Sequence, residues 1–184
     1  MASQGSILGN AVLRKEDPGL LTGSNDYVDD LEIDTAQIVF VRSTMAHASL
    51  LDVDISEAEA MPGVVAVYTS SNLEFEAVNQ SEFMDPSMNR PPLAVGRVRF
   101  VGDIVAAVVA ETHSQAVDAA ELVIVDYDPL PANADIEAAV ADGADVLWEG
   151  AESNVCFAIG NEYDGPDVTE GADVVVSERI VTQR

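Results

Sequence analysis

The sequence predicts an α+β fold built from two β-β-α-β units in tandem, and three stretches carry that expectation. Arg97–Val101 and Ile104–Glu111 are apolar-rich runs separated only by Gly102-Asp103. Ala116, Ala120 and Val123 then recur at helical spacing, and the β-branched run Val123–Tyr127 follows. Upstream, Ala36–Thr69 runs through the same order of strand, strand, helix and strand.

Met1–Asp30 reads as an arm. Asp17-Pro18-Gly19 and Thr22-Gly23-Ser24 are turn chemistry, and no sustained period links Ile7 to Leu21. Ala36–Arg42 (AQIVFVR) is apolar on both faces, which predicts a central strand. Leu51, Val53 and Ile55 alternate with Asp52 and Asp54, the pattern of a strand with one wet face. Ser56 and Glu59 have capping-box spacing for a short helix that Pro62-Gly63 closes, and Val64–Thr69 is the next strand. Ser70–Arg90 is a polar link in which Phe83, Met84 and Met88 read as loop anchors rather than a cofactor box.

In the second unit Gly102-Asp103 predicts a hairpin, because glycine accepts the positive φ of a tight primed turn. Thr112 and Gln115 form a second capping-box pair. Asp128-Pro129 and Pro131 stop the Val123–Tyr127 strand, which a short crossover should return parallel to Ile104–Glu111 and right-handed. Asp135–Asp142 reads as a short helix ending at Gly143, and Ala144–Asn161 as irregular. Ala172–Val181 (ADVVVSERIV) reads as a strand that either folds back on the core or begins a further domain.

With 184 residues the chain has room for one core, or for one domain and part of another. Acidic residues number 33 against 8 basic, a net charge of −25, yet 48% hydrophobic content excludes a disordered acidic tail. Such a surface repels nucleic acid and anionic membranes. Its acids are scattered through helix, strand and loop positions rather than gathered into one block, which favours adaptation to high salt over a dock for a basic partner. The single cysteine, Cys156, excludes an internal disulfide, an iron–sulfur cluster and a structural zinc. The first residues lack the apolar core of a signal peptide, and Ile104–Ala110 is too short to span a bilayer, so the expected location is cytoplasmic.

No catalytic constellation emerges, and no catalytic, cofactor-binding or metal-ligating residue is assigned. His47 reads as a loop histidine bonded to backbone, and His113 as solvent-facing in the first turn of a helix. Asp29-Asp30, Asp52 and Asp54 lack the spacing of a calcium loop and read as solvated faces. Gly96, Gly102 and Gly160 form no phosphate cradle. Lys15 lies in the arm rather than at a hairpin tip, where a lipoyl or biotinyl group would need it.

Three blocks carry a family resemblance: EDPGLLTGSNDYVDD (Glu16–Asp30), FVRSTMAHASLLDVDISEAEAMPGVVAVYT (Phe40–Thr69) and PPLAVGRVRFVGDIVAAVVAETHSQAVDAAELVIVDYDPLPA (Pro91–Ala132). In order and spacing they resemble the N-terminal part of the molybdenum-binding large subunit of the xanthine oxidase, aldehyde oxidase and carbon monoxide dehydrogenase family. The resemblance implies an α/β-hammerhead domain over residues 31–132, flanked by the arm 1–30 and a linker 133–160. It further implies that 161–184 is the first strand region of a molybdopterin-binding domain. Molybdopterin, iron–sulfur clusters and FAD belong to the complete enzyme, and none of the motifs that bind them occurs in these residues. The implied role is a scaffold in a hetero-oligomer with the rest of the large subunit and the iron–sulfur and FAD subunits, of the carbon monoxide dehydrogenase type. The alternative is a free-standing acidic binding or assembly module of the same fold, without catalysis.

Overall fold

The computed structural model describes residues 13–31, 33–73, 82–158 and 165–180. Its strands are β1 (Gln37–Arg42), β2 (Ala48–Asp54), β3 (Val64–Thr69), β4 (Arg97–Val98), β5 (Ile104–Ala110) and β6 (Ile124–Pro129). The helices are α1 (Asp17–Thr22), α2 (Ser56–Glu59), α3 (His113–Ala120) and α4 (Ile136–Ala139). Two β-β-α-β units therefore follow one another along the chain, as the pattern predicts.

Their pairing is reciprocal. One three-stranded sheet has the order β1-β5-β3 and the other β4-β2-β6, with every pair antiparallel. Each unit thus places its second strand in the middle of the other unit's sheet. This overturns the hairpin expected at Gly102-Asp103, because β4 and β5 lie in different sheets. The glycine itself is used as expected. Asp103 N donates to Phe100 O at 3.1 Å and Gly102 has φ +91°, which makes Phe100–Asp103 a type II turn. The turn's backbone bonds the chain leaving β1, with Gly102 N to Ser43 O at 2.7 Å and Ser43 N to Asp103 O at 2.8 Å.

The parallel return of Val123–Tyr127 is also corrected. β1 and β3 occupy both edges of β5, so β6 pairs antiparallel with β2 instead. β1 is an edge strand, not a central one: Val39 and Val41 pack on the core, while Ile38 and Phe40 are exposed. In β2 the register slips between Leu50 and Asp52, which turns Leu51 outward against the simple alternation. Asp17-Pro18-Gly19, read as a turn, opens α1 with proline in its first turn. Residues 172–180, expected within a strand, carry no ladder: a strand needs a neighbour to take its hydrogen bonds, and no described residue does so.

The two capping boxes part ways. Thr112 accepts from Gln115 N while Gln115 reaches back to Thr112 N, as expected. The Ser56–Glu59 box does not form; instead Asp54 Oδ1 accepts from Ser56 N at 2.9 Å. The Ser56 side chain and then its backbone N–H hold the Asp54 carboxyl below the ordinary range.

Alanine and valine make up the inner layers. Ala116 and Ala119 on α3 and Ala58 on α2 meet Val67, Val108 and Ala110 of the first sheet. Small side chains let the helix backbone approach the sheet closely. A second cluster joins Ala48, Ala94 and Val98 to Val105 of β5, so β5 contributes to both cores.

Gly102→Val is expected to cost about 1–2 kcal/mol. Its Cβ would meet no atom within 4 Å, so the whole cost lies in the positive φ. Thr112→Ala should cost about 1 kcal/mol through the lost cap. Urea unfolding of both variants, compared at equal m-value, checks these figures.

Candidate interaction surface

Four of the eight basic residues, Arg42, Arg90, Arg97 and Arg99, gather around the Phe100–Asp103 turn. Arg42 Nη1 donates to Gly102 O at 3.0 Å, and the Arg90 guanidinium lies 4.9 Å from the Phe100 ring. Arg99 stacks 4.0 Å from the Trp148 ring, with Nε donating to Leu147 O at 3.2 Å and Nη1 to Arg97 O at 3.4 Å. Arg97 pairs with Glu149 at 2.9 Å. Burial and then neighbouring Arg97 push the Arg99 pKa below its ordinary value, while Asp103 and Glu149 oppose that shift. Among the described residues, Arg42, Arg90 and Arg99 have no carboxylate within 4.0 Å. Phe100 and Val101 at the turn are exposed.

His47 lies beside this cluster and bonds to backbone, as expected for a loop histidine, but it is only 6% exposed. Its Nδ1 lies 2.6 Å from Pro131 O. A carbonyl oxygen only accepts, so Nδ1 carries a proton. Nε2 is buried and has no partner among the described residues. A cavity of about 170 Å³ is lined by His47 together with Arg99, Phe100, Val101, Ala132 and Asn133.

The second sheet turns an acidic face outward. Asp52 stands directly opposite Asp126 across β2 and β6, and Asp54 and Asp128 are exposed nearby on the same strands. None of these four is in an ion pair among the described residues. Like charges directly opposite each other are destabilising.

The remaining candidates stay apart from both surfaces. His113 is exposed at the start of α3, Lys15 is exposed ahead of α1, and Asp30 accepts from Tyr27 N at 2.9 Å. Met88 is buried, supporting its reading as an anchor, whereas Phe83 is 76% exposed. Gly96 has φ +64° in a loop, and Gly160 lies outside the described residues. Residues 133–158 are fastened rather than loose. Asn154 accepts from Leu147 N and donates to Ala139 O and Asp145 O. The sequence reading missed the arginine cluster. Its one local trace is Arg97-Val-Arg99; Arg42 joins only through the fold.

Two interlocked three-stranded sheets, with a helix laid on one of them, describe an α/β-hammerhead domain. A family model described as "Aldehyde oxidase and xanthine dehydrogenase, a/b hammerhead domain" matches residues 22–131, and the chain belongs to that family. It is 39% identical over 187 residues to the 6-hydroxypseudooxynicotine dehydrogenase complex subunit gamma of Paenarthrobacter nicotinovorans, covering 96% of this chain and 23% of that protein. Identity to the carbon monoxide dehydrogenase large chain of Afipia carboxidovorans is 33% over 183 residues, covering 92% of this chain and 22% of that one. The solved quinoline 2-oxidoreductase from Pseudomonas putida 86 superposes with TM-score 0.64 at 39% identity, over 76% of this chain and 18% of that one. The chain thus spans less than a quarter of the length of these relatives.

Cys156 is the sole cysteine, and among the described residues no three His, Cys, Asp or Glu side chains converge as metal ligands. No described helix is long and apolar enough to cross a membrane.

Asp126→Asn is expected to stabilise the fold by about 0.2–1 kcal/mol in dilute buffer, by relieving the repulsion with Asp52. The gain should shrink as KCl screens that repulsion. Melting temperatures of both proteins across a KCl series check it.

Proposed function

We propose that this chain is the scaffold segment of a molybdenum hydroxylase large subunit, holding the molybdopterin-bearing remainder against iron–sulfur and flavin partners. The observation that carries the reading is the hammerhead match over residues 22–131 in a chain that spans under a quarter of its relatives. One relative is named as a subunit of a dehydrogenase complex, and another as the large chain of carbon monoxide dehydrogenase. A solved Cu,Mo-CO dehydrogenase superposes with TM-score 0.65 at 37% identity. In such enzymes the cofactor supplies the redox chemistry and the protein supplies binding and orientation. This chain belongs to the orienting part, and its interlocked sheets suit that task because neither can shift without disturbing the other.

In this reading 1–30 is an arm, 31–132 the hammerhead, 133–160 a connecting segment and 161–184 the entry to the next domain. The exposed apolar side chains of Val174, Val175, Val176 and Ile180 support the last assignment, since they await cover. The net charge of −25 is read as adaptation to concentrated salt, supported by the opposed Asp52 and Asp126.

Purified from its native host through a tag on this chain, the protein should bring further polypeptides and near-equal molybdenum by mass spectrometry. Expressed alone, it should hold no molybdenum and show no flavin absorbance. Stoichiometric metal on the isolated chain, or a metal-free chain without companions from the host, would overturn the reading. Its melting temperature should rise from dilute buffer to molar KCl; a flat response removes the salt assignment.

A further inference from the structure

We propose that the Phe100–Asp103 turn and its ring of arginines form a docking surface for an acidic stretch of polypeptide. Charge complementarity carries the assignment. In a chain with 33 acidic and 8 basic residues, random placement would surround any cation with carboxylates. Arg42, Arg90 and Arg99 instead converge on one turn and lack a carboxylate partner among the described residues. Each is held in place by a contact that leaves guanidinium donors spare: a bond to Gly102 O, the face of Phe100, the face of Trp148. Preorganised arginine forks of this kind match carboxylates, and exposed Phe100 and Val101 between them offer apolar cover.

The occupant is therefore a segment of polypeptide carrying carboxylates. This goes further than the scaffold reading and rests on it only for the partner's origin.

The probe is a capped oligoglutamate peptide, titrated into the full chain at the lowest KCl concentration that keeps it folded. Anisotropy of a labelled peptide is expected to show binding that weakens as salt rises. The glutamine counterpart should bind about tenfold or more weakly, the loss of about 1.4 kcal/mol. Arg90→Gln, at an exposed side chain stacked on Phe100, should weaken the glutamate peptide, and Arg14→Gln should not. Equal binding of the two peptides, or equal effects of Arg90→Gln and Arg14→Gln, overturns the docking surface. Sodium acetate competing as well as the peptide overturns it in favour of a small-carboxylate site. Failure here leaves co-purification with molybdenum untouched, so the two readings fail separately.

Discussion

Hydrogen bonding to β5 from both sides is the constraint on which the rest of the structure depends. β5 belongs to the second unit in sequence, but its neighbours β1 and β3 belong to the first. β2 does the reverse between β4 and β6. With both edges of β5 taken, the chain beyond α3 pairs beside β2. The position of β6, the route over the first sheet and the burial of the two alanines on α3 all follow from that.

Most of the elements were legible in the sequence, because local chemistry sets them; α1, read as turn chemistry, and residues 172–180, read as a strand, were not. The alternation in β2, the Thr112–Gln115 box and the positive φ at Gly102 are properties of a few neighbouring residues. Partnership was not legible. Gly102-Asp103 between two apolar runs reads as a hairpin, and the turn indeed forms, but Ser43 takes the hydrogen bonds that a hairpin partner would have used. Ala36–Arg42 looked central because its outward residues, Ile38 and Phe40, are apolar. An apolar outer face describes what the strand still has to meet as well as what it has already met. His47 was read correctly as bonding backbone, while its burial depended on Pro131, 84 residues away.

Charge is distributed with the same dependence on fold. Among the strands only β2 and β6 carry acids, and the Asp52–Asp126 juxtaposition arises only when those two pair. The arginines are few, and four of them meet at one turn. Arg97 and Arg99 fasten the Leu147–Glu149 stretch to the second sheet through an ion pair, a ring stack and a backbone bond. That leaves this hammerhead with a cluster of arginines at one turn of an otherwise acidic chain.

The exchanged strands also govern the order in which the protein can be made. As the chain leaves the ribosome, β1, β2 and β3 emerge with no middle strand for the first pair and no outer strands for the second. Neither sheet can close until Ala110 is free, and the second must wait for Pro129. Pairings so distant in sequence form slowly, and unpaired edges invite wrong partners meanwhile. β1 and β3 carry no carboxylate of their own to hold neighbouring copies off, so the time taken to reach Ala110 sets how long they stand open.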